Sequence, residues 1–570
     1  MRTAFSWSAI IFCAALTACS GSGTDSVAPR PGTSVQPAGH GRGIARFTIA
    51  IPKANAASAA RRGPRYVSPA TQSMTIAVTT DPGGTSVVNQ TVALTPTAAG
   101  CTSTLASTQC TLTITLPPGS YDASLATYDG ANATGNELSA GQLVDFTVAQ
   151  GQTNTVALTL NGIPTALAVA SGAYAVHGSQ GAGFTLYGTA AQKLLVQALD
   201  ADGNVIVGPG APTFTVASAA GSGFTIANPT TTTPNTLALT PPGTNGSVET
   251  FTLTASYGDA TCQTSGAVCT ASFTVTNDVQ TLFAAEGAAD QIAEFVPPST
   301  TATASLSSGL TDPVGLVVDG AKNLWVADGA DVAEIVPPYT GAPAVSITNG
   351  TDSVTGVGVD AALNVYALNS GANNVTKYAP PYTAAPVLTE NTASSSLTGL
   401  LVDPAGDIFV SAPDLNAVYD FAAPYTTTYT IASGVNNPGS LALDAVGDLF
   451  VGNVGSLDVT EFGPPADGTN LLATTTQLRL VALALAGNGD LFVGATGTGD
   501  PIAVFAPPYT DAPFATVHLS RPATAMVVDG AGNLFAATLA GTVVEIDPPY
   551  TAVTRTYTLA GTPSALALTP

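Results

Sequence analysis

Carboxylates and amides recur through the second half of the chain in short polar stretches separated by apolar ones. The members that stand out are Glu286 and Asp290, Asp328 and Asp331, Asn373, Asp414 and Asn416, and Asp500. Oxygen-rich side chains of this kind suit a hard cation such as calcium, or hydrogen-bond a polar ligand. Ordinary solvated loop polarity is the plainer reading of them. A separate string, Asp200-Ala-Asp202-Gly203-Asn204, invites the same calcium reading. It lacks the closing Glu of a calcium loop, and Asp-Gly between two apolar runs is the usual hairpin signal, so it is read as a turn. Other chemistries find little footing. Histidine occurs only as His40, His177 and His518, and no Gly-x-Ser-x-Gly elbow, His-Glu-x-x-His pair or phosphate-cradling loop is present. No catalytic residue is assigned and no cofactor is expected, calcium at the loop cluster being the one cation that would suit it.

The elements that must position these groups repeat. An apolar run, a proline pair and usually Tyr-Thr recur about every 42 residues, as in Ile335-Val-Pro337-Pro338-Tyr339, Tyr378-Ala-Pro380-Pro381-Tyr382 and Phe505-Ala-Pro507-Pro508-Tyr509. Each unit has four strand signals. A first strand ends in Asp, as in Gly315-Leu-Val-Val-Asp319, and a tight turn leads to a second strand such as Asn323-Leu-Trp325. A third strand runs into the prolines and a fourth follows them. The second-strand starts lie 41, 43, 41, 42 and 43 residues apart. A period near 40 residues with strand-like content is the signature of a β-propeller. The proline pairs are read as blade corners, because proline cannot donate to a strand ladder. The tyrosine after them is read as a cap on the blade and the second-strand aromatics as packing between blades.

These units resemble the NHL-repeat and gluconolactonase-like propeller superfamily, whose repeat reads roughly Gly-hydrophobic-x-Val-Asp-x-x-Gly-Asn-hydrophobic-aromatic-Val. The resemblance covers about half of the chain. It implies a ligand-facing mouth built from the loops between second and third strands, where the polar residues above fall. Gluconolactonase-like relatives hold a divalent metal with Glu, Asn and Asp in such loops, but no residue here matches closely enough to carry over. The streptogramin lyase-like and amidating-lyase propellers need histidines, and only His518 lies in the repeats.

Seven proline corners stand against six complete strand cores. The first unit, from Thr281-Leu-Phe283, lacks its own first strand, and Ser564-Ala-Leu-Ala-Leu568 has that strand's character without a successor. The count predicts seven blades, with the C-terminal strand completing the first and leaving no open edge.

Composition agrees with an all-β chain: 9% of the 570 residues are charged, and β-branched residues abound. Eight of the 14 basic residues lie in the first 65 positions, leaving 6 basic against 36 acidic side chains in the rest. A surface of that sign repels phosphate backbones, so nucleic acid is not an expected partner.

Arg2, the apolar Ala9–Ala15 and the box Leu16-Thr17-Ala18-Cys19 read as a bacterial export signal. The box is similar to the lipobox of bacterial lipoproteins, and that resemblance implies acylation of Cys19. Ser20 in place of Asp implies the outer membrane or cell surface. The membrane would then be a partner through the lipid. Cys13 leaves with the signal, and the remaining thiols form two close pairs, Cys101–Cys110 and Cys262–Cys269, read as local disulfides of an exported chain.

Short alternating runs between 66 and 163 include Met74–Val78, Cys110–Leu116 and Tyr121–Tyr128. Leu116-Pro-Pro-Gly119-Ser-Tyr121 is similar to the turn of prealbumin-like and carboxypeptidase-regulatory-like sandwiches, in which the Tyr starts an inward-facing strand. The hairpin around Asp200 resembles bacterial Ig-like modules. The expected architecture is thus all-β: a signal peptide (1–18), a flexible tether (19–65) with a strand-like Ile44–Ile51 inside it, two β-sandwich domains (66–163 and 164–277), and a seven-bladed β-propeller (278–570). The expected role is a monomeric, non-enzymatic envelope lipoprotein presenting the propeller to a protein or glycan. A metal-dependent lactonase of gluconolactonase type and a purely structural spacer are the alternatives.

Overall fold

The computed structural model describes residues 41–53 and 67–570, apart from 159, 174, 209, 219–222, 243–244, 258–267, 465–470, 477–478, 498 and 510–511. Cys19 and the rest of the export signal lie outside these residues. Among the described residues there is no α-helix, and the chain is built almost wholly from short antiparallel strands.

Residues 43–162 supply a two-sheet sandwich. One sheet runs, edge to edge, through Cys101–Ser103, Ser107–Leu116, Gly43–Pro52 and Thr153–Val156. The other runs through Ser86–Ala93, Ser73–Asp81, Gly119–Tyr128, Glu137–Val148 and Asn161–Gly162. Gly43–Pro52 is a correction to the expected tether. Its alternate residues Ala45, Phe47, Ile49 and Ile51 are buried in the sandwich core, and it is paired along its whole length with Ser107–Leu116. Residues 43–52 therefore belong to the sandwich and not to a flexible tether. Tyr121 is buried at the start of its strand, as the Pro-Pro-Gly turn implies, and its hydroxyl donates to the Pro117 carbonyl (2.8 Å). Cys101 and Cys110 sit opposite one another in the register of a hairpin and are disulfide-bonded. Cys269 is disulfide-bonded as well. Its expected partner Cys262 lies outside the described residues.

A second sandwich follows, with sheets of four and five strands between Ala166 and Asp278. Phe184, Phe251, Phe273, Leu194 and Leu237 fill its core.

From Leu282 onward come seven four-stranded antiparallel sheets, a β-propeller-like array. The second to seventh lie within 313–347, 354–391, 400–431, 438–476, 479–518 and 523–558, each with its strands in chain order. The first takes three strands from Leu282–Leu306 and its fourth from Ala565–Leu568, which pairs antiparallel with Leu282–Glu286. First strands of successive sheets touch, and Ala565–Leu568 touches those of both the second and the seventh. Close approach at this axis is why small residues recur there: a Cβ on Gly399 would sit 2.6 Å from the Gly439 carbonyl oxygen of the next sheet.

Two local devices recur through the sheets, one within the sheet and one at the seam with its neighbour. One is a five-residue turn between first and second strands. Asp319 accepts the N–H groups of Ala321 and Asn323 on Oδ1 and the Asn323 amide on Oδ2. Asp360 and Asp529 repeat the pattern. The sixth sheet has Ala486 instead, and there the Asn488 side chain accepts the Asp490 N–H (3.0 Å). The other device is the tyrosine that follows the prolines. Tyr339, Tyr382, Tyr425, Tyr509 and Tyr550 all take left-handed backbone. Each hydroxyl donates to a turn carbonyl of its own sheet: Lys322, Leu363, Gly406, Gly489 and Gly532 respectively. Four of the rings stand edge-on to the second-strand aromatic of the preceding sheet, with centroids 4.8–5.2 Å apart: Phe283, Trp325, Phe450 and Phe492. Tyr425 instead bonds the Tyr366 hydroxyl (2.8 Å).

Tyr550→Phe removes one hydrogen bond of this staple and is expected to cost about 1 kcal/mol. Tyr550→Ala also empties the space beside Phe492 and should cost about 3–5 kcal/mol. Urea titration of the two variants measures both, and equal losses would show that the hydroxyl carries the whole effect. Deleting Gly561–Pro570 withdraws the strand paired with Leu282–Glu286, and the melting temperature should drop by more than about 10 °C. An unchanged melting temperature would mean that this strand does not hold the ring closed.

Candidate functional site

The loops between second and third strands all emerge at one end of the array, because every sheet repeats the same strand order. That end holds the residues expected to face a ligand. Most of them are occupied with holding their own loops. Glu286 is buried, accepting the Gln291 amide (3.1 Å) and the Gly561 N–H. Asp328 is 1% exposed and accepts the N–H groups of Thr311 (2.9 Å) and Asp312 (2.7 Å). Asp331 accepts the Ser346 hydroxyl. Asp414 accepts the Ser394 hydroxyl together with the N–H and hydroxyl of Ser395, and these bonds hold its carboxyl below the usual range. The Asn416 side chain accepts the Asn437 N–H (2.8 Å), and Asp500 accepts that of Gly497 (3.1 Å). Asp290, Asn373, Asn416 and Asp500 all take left-handed backbone. Asp290 alone is exposed with no side-chain bond shown.

The array therefore spreads these groups around a rim without gathering them. Among the described residues, no group of three or more His, Cys, Asp and Glu is placed to hold a metal. His518 lies exposed on the outermost strand of the sixth sheet. The string at Asp200 is a turn: Asp200 Oδ1 accepts the N–H groups of Asp202 (3.0 Å) and Asn204 (2.8 Å), the same geometry as in the repeats. Asn369 and Asn453, which open the loops 369–374 and 453–457 of the expected mouth, belong to the same rim series. Both are fully buried and accept backbone N–H groups, from Asp352 and Asn436. Their offset from the turn is the same as that of Asp328.

Two larger hollows open at the opposite end, among the turns and proline corners. One, of about 420 Å3, lies between the second sandwich and the seam where the seventh sheet meets the first. Its lining includes Tyr187, Gln192, Asp529, Asn533, Asp547 and Arg555, with Glu545 beneath. Tyr187 is held there by contact with backbone: a Cβ on Gly530 would fall 2.5 Å from its ring. Glu545 accepts the Tyr557 hydroxyl and pairs with the Arg555 guanidinium. Burial nevertheless pushes Glu545 up to about 7 and Asp529 up to about 6, against their hydrogen bonds. The other hollow, of about 560 Å3, is lined by Asp444, Asp448, Glu461, Asn488, Pro508 and Tyr509. There burial, then the charges of Asp448 and Asp444, raise Glu461 to about 7.

Glu461 gives the molecule a pH dependence of known sign. Its carboxyl holds a proton more tightly in the fold than at the ordinary value of 4.5. Its contribution to stability is then fully present below pH 4.5 and is lost as the pH rises through about 7. Melting temperature should fall between pH 5 and pH 8, and Glu461→Gln should flatten part of that fall. A variant with the same fall as the parent would show that Glu461 is not responsible.

No family model matches the sequence, and neither does any curated protein. Solved structures do resemble the chain. A streptogramin B lyase is 12% identical, covering 46% of this chain and 87% of its own, with a TM-score of 0.39. A functionally unknown protein from Desulfotomaculum acetoxidans is 14% identical, covering 50% and 98%, with a TM-score of 0.42. A virginiamycin B lyase from Staphylococcus aureus is 12% identical, covering 44% and 84%, with a TM-score of 0.36. Likenesses this distant bear on neither activity nor substrate.

Proposed function

We propose that this chain is a non-enzymatic lipoprotein of the bacterial envelope, anchored in the outer membrane by acylated Cys19 and acting as a monomer. Its two sandwiches carry a seven-bladed propeller, and the rim of second-to-third-strand loops binds a protein partner. One observation carries this reading. Most polar groups of the rim, Asp290 excepted, are engaged with their own loops, while apolar side chains are left facing out. Leu415, Val454 and Leu457 are 43%, 36% and 37% exposed. They belong to adjoining loops of the fourth and fifth sheets, which are tied together where Asn437 donates its N–H to Asn416 and accepts that of Val454. Leu539, 54% exposed, occupies the corresponding loop of the seventh sheet. Clustered exposed apolar groups rimmed by polar ones mark protein contact surfaces.

Two measurements test the proposal. Cys19→Ala should move the protein from the membrane fraction to the soluble fraction of its cells, and a variant that stays with the membrane would refute the anchor. A photo-crosslinking residue placed at Leu415 or Val454 should give an adduct of discrete mass in cells. The same residue at Val446, 72% exposed at the opposite end, should not. Identical patterns at the two ends would remove the rim as a binding surface.

A further inference from the structure

Two of the seven proline corners lack the tyrosine: Pro297-Pro298-Ser299 and Pro464-Pro465-Ala466. At the first, the corner itself is intact. Ser299 donates its N–H to the Val296 carbonyl (3.1 Å), as Tyr339 does to Val336 (2.9 Å). Only the ring is missing. Elsewhere the staple tyrosine lies between its own prolines and the turn and third strand of the preceding sheet; Tyr425, for example, meets Tyr366 and Lys377 of the third. The equivalent space for Ser299 is bounded by Pro297 and Pro298 on one side and by Asp529 and Glu545 of the seventh sheet on the other. That is where the 420 Å3 hollow lies. Tyr557 takes over part of the lost role, packing between Phe295 and Phe535 and donating to Glu545. The remaining space is roofed by another domain, through Tyr187 and Gln192.

We propose that this seam hollow is a saccharide-binding site, taking one or two neutral sugar rings between the second sandwich and the closing seam of the propeller. Its volume falls within the range of small-ligand sites, about 300–1,000 Å3. Its walls pair an apolar surface, made by Tyr187 and the rings of Pro297, Pro298 and Pro548, with planar groups that both donate and accept. The first suits the C–H face of a pyranose and the second its adjacent hydroxyls. Capacity for new hydrogen bonds remains on those planar groups. The Gln192 amide makes one long bond, to the Tyr187 carbonyl (3.4 Å). Asn533 uses its N–H groups on Asp529, which leaves its side-chain oxygen to accept. Asp547 accepts the Thr554 hydroxyl on one oxygen and faces Arg555 at 4.0 Å with the other.

Charge argues for a neutral ligand. Arg555 lies between Glu545 and Asp547, so its charge is met within the protein, and an incoming anion would face three carboxylates.

Calorimetry of the purified full chain with D-glucose, D-galactose, N-acetylglucosamine and cellobiose tests the site, with spermidine and inorganic phosphate as charged probes. At least one sugar should bind once per chain with Kd below about 1 mM. Ser299→Tyr, which returns the repeat's ring to the seam, should weaken that binding at least about tenfold, and Gln192→Ala should weaken it as a lost polar contact does, by about fivefold. If Ser299→Tyr fails to fold, Gln192→Ala decides alone. Absence of sugar binding, preference for spermidine or phosphate, or unchanged affinity in a folded variant would each overturn the proposal.

Discussion

A tyrosine hydroxyl on the carbonyl of a tight turn, with its ring edge-on to an aromatic side chain of the preceding sheet, joins one sheet to the next at four of the seams. A four-stranded sheet of five-residue strands cannot bury its own faces, so stability must come from the seams. The staple acts there on both partners. Its hydroxyl fixes the turn that starts the second strand, and its ring covers the aromatic side chain of the preceding sheet's second strand. The left-handed backbone of these tyrosines costs about 1–2 kcal/mol each. Burying most of an aromatic side chain contributes about 2–3 kcal/mol, which offsets that cost before the hydroxyl bond is counted. Where the partner is Tyr366 and not a Phe or Trp, the seam is rebuilt with polar contacts. Lys377 bonds the Tyr425 hydroxyl and lies over the rings of both tyrosines.

The turns explain why so many carboxylates do so little chemistry. A five-residue loop with left-handed backbone at its fourth position leaves amides pointing inward, and an Asp at the first position accepts them. Lys322, Leu363, Gly406, Gly447, Gly489 and Gly532 all occupy that fourth position with positive φ, as does Gly203 in the second sandwich. At the other end of the sheets, Asp328, Asn369 and Asn453 do similar work for the loop entering the first strand. A side chain that accepts two or three amide hydrogens has little left for a ligand, whatever its charge suggests.

The repeat was legible in the sequence because its parts are local: a proline pair, a turn and a strand each announce themselves within ten residues. The C-terminal strand could also be placed, since a unit without a first strand implies one supplied from elsewhere. Gly43–Pro52 was legible as a strand but not as part of the first sandwich. Its partners Ser107–Leu116 and Thr153–Val156 are distant in sequence, and an Ala- and Arg-rich stretch follows it. The rim residues were placed correctly in their loops. Their engagement was not readable, because the amide that Asp328 accepts lies 17 residues earlier and carries no side-chain signature. The seam hollow was hidden for a different reason. It lies beside a corner where Ser299 stands in place of Tyr, and its roof comes from a separate domain.

That hollow lies where the topology requires the repeat to fail. The seventh sheet must meet a first sheet whose inner strand arrives from the far end of the chain, while the connection from the second sandwich enters at the same place. Gln280, in that connection, accepts the Gly530 N–H (2.5 Å) on the seventh sheet and donates to the Thr569 carbonyl beside the closing strand. Thr281 and Thr569 exchange two further bonds. Closure here is made by amides and hydroxyls in place of the staple tyrosine, and such groups hold backbone together without filling space. At a stapled seam the tyrosine both bonds and packs, as Tyr509 does against Gly489 and Phe450. The closing seam separates those two tasks, and beside it polar side chains, an aromatic wall and room for a ligand coincide.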